Sequence, residues 1–386
     1  MATRNEVEQF LSQFYQDHSW QAESKDNLHI ISSSGAPDDL STQTEQGGQI
    51  MLQDPKNMKS PLTGGNVTLH WEWRDIDFRK DTFRVLAPYY VCEDTKEQFT
   101  TTESDGIWLA QMRNQYCHKY GIPYTDEIIA LRARYGISAL KMSLILGFGE
   151  NQWRKYEQEE IPSLSNGRMI RSIMSPKVFL DLVESSKEIL SDKEYARISS
   201  KVNDVISADK NLSIERYEIQ RVYNCARSED NGFAPLSLKR LKNIMLYVLQ
   251  RCGDTFCTKM NKLLFYIDFL SYRERGLAMS GLSYRAISYG PVPENWDRVY
   301  SQFDEIHQEP RLIGDFEGNV LTSSENPDET LFTPDELAVL DAVCTRFGSM
   351  SSREISALSH KEKAWLDCHE NHSRIPFTDA FELKAV

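Results

Sequence analysis

The segment KMNKLLFYIDFLSYRE, residues 259–274, constrains the fold of this 386-residue chain more than any other. In a helix its apolar side chains lie on nearly every side, so no broad face is left for solvent. A helix of this kind is stable only at the centre of a core, with other elements packed around it. The segment therefore predicts a sizeable, mainly helical domain in the last third of the chain.

The overall composition is that of a soluble globular protein. Apolar residues make up 40% and charged residues 26% of the chain, whose length suffices for two or three domains. No segment approaches the roughly 20 apolar residues of a membrane span, and the N-terminal MATRNEVEQFLSQF lacks a signal-peptide core. The seven scattered cysteines do not form a disulfide framework. We expect cytoplasmic localisation and no membrane partner.

Charge is distributed unevenly along the chain. The net charge of −13 argues at first against a nucleic-acid partner. Residues 110–177, however, hold ten Lys and Arg against six Asp and Glu, a local net charge of +4. A basic segment inside an acidic chain is typical of a DNA-binding module with other functions attached to it.

Two short helices are predicted in SALKMSLILGFGENQWRKYEQ, residues 138–158. Ser138 is a good N-cap, and Gly147 ends the first helix. Small Ser143 lets a second helix approach closely, and that helix buries Trp153 and Tyr156 at i and i+3. The packed face of the first helix is predicted to comprise Leu140, Ser143, Leu144 and Leu146.

The opposite face of the second helix is polar and suits the reading of DNA bases. Its predicted reading residues are Asn151, Gln152, Arg154 and Lys155. Asn and Gln can pair with adenine and Arg and Lys with guanine in the major groove. Nearby basic residues suited to phosphate contacts are Lys141, Arg168 and Arg171. The alternative is an ordinary solvated helix face.

An aromatic β-hairpin is predicted upstream of these helices. KSPLTGGNV, residues 59–67, has the glycines of a zinc-knuckle turn, while Ser60 and Thr63 occupy the positions of the thiolates. An alternating run follows from Val67, and after the turn a second strand reads FRVLAPYYVC. Its aromatic core is predicted to include Trp71, Trp73, Tyr89 and Tyr90.

The remaining segments have simpler predictions. Residues 1–20 form an amphipathic helix through Val7, Phe10, Leu11 and Phe14, and residues 32–57 form a linker. Five short helices lie between residues 125 and 186. Residues 191–236 are a polar connection, and RLIGDFEGNVLTSS is a hairpin.

Residues 115–170 resemble the Xre-like helix-turn-helix of MqsA-type antitoxins. The resemblance runs through YGI, LRARYG, MSLILGFGEN, RKYE and PSLSNG. It implies a homodimer that binds a palindromic operator. It also implies an N-terminal zinc-binding hairpin, whose two C-x-x-C pairs map onto Ser60–Thr63 and Cys92–Thr95. Because Cys92 alone is retained of the four, beside Ser60, Thr63 and Thr95, we expect a vestigial site without metal.

Residues 238–370 resemble the Panacea, or SocA-like, antitoxin domain. The matching strings are KMNKLLFYIDF, SYGPVP, LDAVCTRFG and LSHKEKAW. The resemblance implies neutralisation of a cognate protein toxin by direct contact, either by masking it or by delivering it to a cytoplasmic protease. The candidate toxin-binding residues are Lys262, Asp268, Tyr289, Pro291, His360 and Trp365. The alternative for each is a role in shaping the fold.

No pattern in the sequence indicates an enzyme, a cofactor or a metal site. Phosphate-loop, dinucleotide-binding and nucleophile-elbow motifs are absent from the sequence. A cluster of His360, Cys368, His369 and His372 lacks the i, i+4 spacing that places two ligands on one helix face. Cys252 and Cys257 are interpreted as core cysteines.

These observations predict a mainly α, multidomain protein. The predicted parts are an N-terminal helix and linker (1–57), a degenerate zinc-finger-like hairpin (58–105), an Xre-like helix-turn-helix (106–190), a connecting region (191–236) and a mostly helical Panacea domain with a few short strands (237–386). The predicted function is that of an antitoxin and transcriptional autorepressor. The alternatives are a phage or mobile-element transcription regulator without a toxin, and a protein-binding adaptor whose DNA module is vestigial.

Overall fold

The computed structural model describes Leu52 and residues 55–211, 226–313 and 316–386. The helix predicted over residues 1–20 and most of the linker predicted over residues 32–57 lie outside these ranges. Within the described ranges, no helix is both long enough and apolar enough to cross a membrane.

The predicted hairpin is present. Strands β1 (Val67–Phe78) and β2 (Asp81–Cys92) pair antiparallel along their whole length, and β3 (Gln98–Phe99) adds to β2. Tyr90 is fully buried on its inner face, as predicted. Trp73, which was expected in the same core, is 47% exposed and lies under the guanidinium of Arg84.

Helix α1 (Thr102–Tyr120) packs on β2 and joins the hairpin to the rest of the protein. The buried side chain of Gln111 accepts a hydrogen bond from Leu86 N and donates one to Leu86 O, at 3.0 and 2.9 Å. On another side of α1, Asn114 donates to the carbonyl of Gly276 at 2.9 Å. The hairpin, α1 and the C-terminal block consequently share one continuous core.

A separate helical bundle follows α1, with its own core. Its first five helices, as the periodicity predicts, are α2 (Thr125–Tyr135), α3 (Ala139–Ile145), α4 (Gln152–Glu157), α5 (Leu164–Ser172) and α6 (Pro176–Ser185). Tyr135 stacks on Phe179 at 4.3 Å between ring centroids.

The bundle contains a further helix where a polar connection was predicted. Helix α7 (Asp192–Asn211) packs on α6 and α2, and Ile198 and Val202 are buried in the bundle core. These two residues lie at i and i+4, so a polar segment still has one apolar stripe.

The C-terminal block is built around the long helix predicted at its centre. Its elements are α8 (Leu238–Cys252), β4 (Thr255–Phe256), α9 (Cys257–Arg275), β5 (Tyr284–Ile287), β6 (Gly290–Pro293), α10 (Trp296–Tyr300), β7 (His307–Ile313), β8 (Phe316–Thr322), α11 (Pro334–Phe347), α12 (Ser352–Ser359) and α13 (Lys363–Leu366). Helices α8, α11 and α12 pack around α9, together with strand β4, strand β8 and the β5–β6 hairpin. The strand orders are β4-β8-β7 and β5-β6, all antiparallel.

Replacing Gln111 with Met tests the junction between α1 and the hairpin. The substitution leaves the buried N–H and C=O of Leu86 without their partner, so we expect a loss of about 2–4 kcal/mol in the free energy of unfolding. Urea unfolding followed by tryptophan fluorescence measures the change. Gln115→Met is the matched control, since Gln115 bonds the carbonyl of Arg84 at the solvent-exposed edge and should cost under about 1 kcal/mol. Equal losses in the two variants would contradict the role given to Gln111.

Candidate partner-binding surfaces

Helices α3 and α4 meet as a close-packed pair. Ser138 caps α3 by accepting a hydrogen bond from Lys141 N at 3.3 Å. Ser143 is fully buried, and its hydroxyl accepts a hydrogen bond from Trp153 N at 3.0 Å. The small polar residue therefore both admits the second helix and fixes its first turn.

The packed face of α3 differs from the predicted one. It buries Met142, Ser143, Ile145 and Leu146, whereas Leu140 is 46% exposed. Ser143 and Leu146 are buried as predicted, Leu144 is half-buried, and Met142 and Ile145 are buried in place of Leu140. Apolar residues lie on more than one side of this seven-residue helix, so spacing alone does not indicate which side packs.

The predicted reading residues surround the start of α4. Asn151, Arg154 and Lys155 are exposed, while Trp153 and Tyr156 anchor the helix from below. Gln152, the fourth predicted reading residue, is half-buried and donates to the carboxylate of Glu160 at 2.9 Å.

Nearby carboxylates are held by partners of their own. Glu157 accepts hydrogen bonds from Arg132 and from the indole of Trp153, and Glu159 pairs with Arg113 at 2.8 Å. Within the described ranges, neither Arg154 nor Lys155 forms an ion pair. Arg154 and Lys155 consequently place two positive charges on the exposed face of α4, near the exposed carboxylates of Glu150 and Glu160.

The predicted phosphate contacts divide into two kinds. Arg168 is exposed on α5. Lys141 instead pairs with Glu194 of α7 at 3.0 Å, and Arg171 donates to the carbonyl of Gly121 at 3.3 Å. Hydrogen bonds from Ser191, and then from Lys141, lower the pKa of Glu194 to about 2. Lys141 and Arg171 therefore brace the bundle, and the partner of Lys141 was missed because α7 was not predicted.

The two turns that resemble a zinc knuckle converge around one thiol. Cys92 is fully buried, and the hydroxyl of Thr63 lies 3.4 Å from its sulfur. Hydrogen bonds from Ser60, Thr63 and Thr95 lower the pKa of Cys92 to about 6. The described part of the chain contains no group of three or more His, Cys, Asp or Glu placed to hold a metal ion. Hydrogen bonds to a single sulfur thus hold together turns that four thiolates hold in a zinc site.

Three candidate residues of the C-terminal block, Tyr289, His360 and Trp365, form together with His369 a surface that we call the Tyr289 surface. Trp365 stacks between His360 and His369, with ring centroids 4.2 Å apart on each side. Its indole donates to the carbonyl of Ile287 at 2.8 Å, which ties α13 to the β5–β6 hairpin. Tyr289, at the tip of that hairpin, is 74% exposed. From the sequence, His369 is a candidate metal ligand only, because residue spacing does not reveal that its ring stacks on Trp365.

Lys262 lies beneath this surface without a counter-ion. Its side chain is 1% exposed, and no described residue accepts a hydrogen bond from its ammonium group. A Cβ at Gly290 would lie 2.6 Å from Lys262 Cε and 2.8 Å from Ser359 Oγ, so only glycine leaves room for the lysine here. Burial lowers the pKa of Lys262 to about 7.

His360 is shaped by the same environment. Burial, and then the charge of Lys262, lower the pKa of His360. Its Nε2 is buried and has no hydrogen-bond partner among the described residues. The Tyr289 surface therefore has one donor beneath it, the ammonium group of Lys262, and one ring nitrogen of its own, Nε2 of His360, without partners among the described residues.

Asp268 and Pro291 do not belong to the exposed surface. Asp268 is fully buried and accepts hydrogen bonds from Met279 N, Ser280 N and the hydroxyls of Ser280 and Tyr284. Its prediction as a toxin contact is corrected, because all of its acceptor capacity is used inside the domain. Pro291 is buried in β6 and shapes the hairpin below Tyr289.

Replacing Lys262 with Met tests the cost of the buried ammonium group. The pKa of Lys262 is about 7 in the folded protein and 10.5 in the unfolded chain, which binds more protons between these values. The free energy of unfolding of the wild-type protein therefore rises as the pH rises from about 7 to 10.5. We expect Lys262→Met to gain about 2–4 kcal/mol over the wild type at pH 7 and to lose most of that gain near pH 10.

Urea unfolding at several pH values measures both stabilities. Lys361→Met is the matched control, because Lys361 is an exposed lysine that follows the end of α12 beside His360. A difference between Lys262→Met and the wild type that stays constant with pH would contradict a depressed lysine pKa.

The comparisons with known proteins concern the C-terminal block alone. A search of curated proteins and a search of solved structures each found no match. Residues 260–366 match the family model described as antitoxin SocA-like, Panacea domain. The matched range begins in α9, ends in α13 and includes most of the Tyr289 surface. This part of the chain is thus similar to an antitoxin domain.

Proposed function

We propose that this protein is an antitoxin that binds a cognate protein toxin through the Tyr289 surface and represses its own operon through the helical bundle. The observation that carries the proposal is the match of residues 260–366 to an antitoxin domain. The same residues build an exposed aromatic surface on a rigid support.

The Tyr289 surface has the properties of a protein-contact site. Tyrosine and tryptophan supply large contact areas at a low cost in conformational entropy, and they are enriched where interfaces derive most of their binding energy. Tyr289 is exposed, whereas the stack of His360, Trp365 and His369 is fixed by the β5–β6 hairpin. A fixed surface loses little freedom when a partner binds.

The chemistry of the contact follows from the groups below it. An acceptor on the toxin, such as a carboxylate or a backbone carbonyl, pairs with the ammonium group of Lys262 after a small displacement of the stack. Neutralisation then occurs by masking the toxin or by delivering it to a cytoplasmic protease.

The helical bundle supplies the repressor function in this proposal. Arg154, Lys155 and Asn151 face solvent from a helix that is anchored by buried aromatics, as base reading requires. Exposed apolar side chains support a second copy of the chain as a partner and hence a palindromic operator. They are Ile129, Leu140, Met169 and Val178.

One observation favours a second candidate, a protein-binding adaptor with a vestigial DNA module. Lys141 is paired with Glu194 inside the bundle, so one of the three predicted phosphate contacts is unavailable without rearrangement, and exposed Arg171 already bonds the carbonyl of Gly121. Fewer phosphate contacts imply a lower affinity for DNA and a weaker dependence on salt.

Replacing Arg154 and Lys155 with Ala distinguishes the two candidates. A repressor should lose roughly 10- to 100-fold in affinity for the DNA upstream of its own gene, because both base and phosphate contacts are removed. Fluorescence anisotropy at two salt concentrations measures the affinity. The control pair Lys193→Ala and Arg197→Ala removes the same charge from exposed positions of α7 and should cost far less. Unchanged affinity of the Arg154/Lys155 variant at low salt would favour the adaptor.

Replacing Tyr289 with Ala tests the toxin-binding surface. Co-expression with the protein encoded by the neighbouring gene should show growth arrest with the variant and rescue with the wild type. The affinity of the two purified proteins should fall roughly 10- to 100-fold, because an exposed interface tyrosine is truncated. Leu312→Ala is the matched control, since Leu312 is 69% exposed on the β7–β8 hairpin of the same block. Equal rescue by both variants would exclude the Tyr289 surface as the contact.

A further inference from the structure

Two cysteines that are 92 positions apart in sequence meet at one end of the C-terminal core. Cys252 is the last residue of α8, and Cys344 lies in the third turn of α11. The sulfur of Cys252 lies beside the end of α11 that follows Cys344, and the two thiols are close enough to shift each other's pKa. From the sequence, Cys252 and Cys257 are interpreted as core cysteines. In the structure, the thiol next to Cys252 is that of Cys344.

The backbone of α11 closes tightly around Cys252. A Cβ at Gly348 would lie 3.2 Å from Cys252 Sγ and 2.4 Å from the carbonyl oxygen of Cys344. Glycine at this position therefore lets the sulfur of Cys252 approach the end of α11. Lys259 of α9 donates to the carbonyl of Gly348 at 2.7 Å, which places an ammonium group beside both thiols.

The two thiols differ in reactivity. The hydrogen bond with Cys344, and then the charge of Lys259, lower the pKa of Cys252 to about 7 against the opposing effect of burial. The same hydrogen bond, burial and the charge of Asp341 raise the pKa of Cys344, with Arg251 acting in the opposite direction. Cys252 is half-buried, whereas Cys344 is 7% exposed. Cys252 is thus the thiol that a small oxidant meets as a thiolate.

We propose that Cys252 and Cys344 form a peroxide-sensitive dithiol that closes to a disulfide between α8 and α11. The Cys252 thiolate attacks one oxygen of hydrogen peroxide, so an S–O bond forms, the O–O bond breaks and hydroxide leaves as water. Cys344 then loses its proton and attacks the sulfur of the Cys252 sulfenic acid. The S–S bond forms, the S–O bond breaks and a second hydroxide leaves as water. Two thiols and one peroxide thereby give one disulfide and two waters.

The disulfide encloses Tyr289 of the proposed toxin contact, whereas His360, Trp365 and His369 follow Cys344 in the chain. Residues 253–343 lie within the covalent loop, and they include α9 and the β5–β6 hairpin. The proposal is independent of the toxin-binding function, because it needs only the two thiols and the oxidant.

Peptide mapping of the full-length protein tests the proposal. Reduced protein is treated with a small molar excess of hydrogen peroxide, alkylated under denaturing conditions and digested without reductant. We expect a cross-linked peptide pair containing Cys252 and Cys344, which has lost two hydrogen atoms relative to the free peptides. Cys368→Ser, a control at another buried thiol, should give the same cross-link.

The single variants separate the two steps. Cys344→Ser should accumulate the sulfenic acid at Cys252, which dimedone traps, whereas Cys252→Ser should leave Cys344 reduced. In the wild-type protein, a cross-link of Cys252 to Cys225 or Cys257, or sulfinic acid at Cys252 without any cross-link, overturns the proposal. Because this decisive readout uses the wild-type chain, poor folding of a variant does not weaken it.

Discussion

The structure of the C-terminal block depends on the burial of α9. Sixteen of the 19 residues of this helix are buried, so every polar group that it carries must find a partner inside the core. Asp268 is satisfied by the Met279–Ser280 backbone and two hydroxyls, and Asn261 accepts a hydrogen bond from the hydroxyl of Tyr300. These bonds position the β5–β6 hairpin and α10 around the helix. Lys262 has no such partner among the described residues, and it lies directly below the Tyr289 surface.

A buried ammonium group without a hydrogen-bond acceptor lowers the stability of the fold, so the presence of Lys262 at this position needs an explanation. Burial lowers the pKa of Lys262, and Gly290 must lack a side chain to make room for it. A methionine of similar shape would avoid the cost of the buried charge, whereas the φ of +99° and the contact with Ser359 would still require glycine at position 290. Groups that destabilise a fold while lying under an exposed aromatic surface are typical of binding sites, where strain is retained for function. This combination supports the assignment of toxin contact to the Tyr289 surface rather than to another face of the block.

The bundle is joined to the rest of the protein by a few polar contacts. At the tip of the β1–β2 hairpin, Arg79 donates to the carbonyls of Ile161 and Pro162, which follow α4. On another side, the buried guanidinium of Arg227 pairs with Asp126 of α2 and lies 4.5 Å from the ring of Tyr124. Two arginines thus hold the proposed DNA-reading bundle against the hairpin and the C-terminal block. Because the hairpin shares its core with that block, both proposed binding surfaces rest on a common support.

The sequence predicts those features that depend on local periodicity. The central helix, the hairpin and five helices of the bundle follow from apolar spacing and from caps such as Ser138, and Trp153 and Tyr156 are buried as expected. What the sequence does not predict depends on partners that are distant along the chain. The ion pair of Lys141 requires α7, whose apolar stripe is too narrow to stand out from a polar segment. The meeting of Cys252 and Cys344 requires the packing of α8 on α11, on which residue spacing has no bearing.

The turns around Cys92 meet through hydrogen bonds to one sulfur, whereas the turns of a zinc site meet through metal–thiolate bonds. A metal supplies four strong bonds at one point, whereas here hydroxyls of Ser60, Thr63 and Thr95 surround one sulfur. Each hydrogen bond contributes about 1 kcal/mol, far less than a metal–thiolate bond, so the stability of the turns must come from elsewhere. The β1–β2 ladder runs through twelve paired residues on each strand and is buried against α1, which supplies that stability. Because the hairpin is held along its length, its tip can place Arg79 against the bundle whatever the turns around Cys92 contribute.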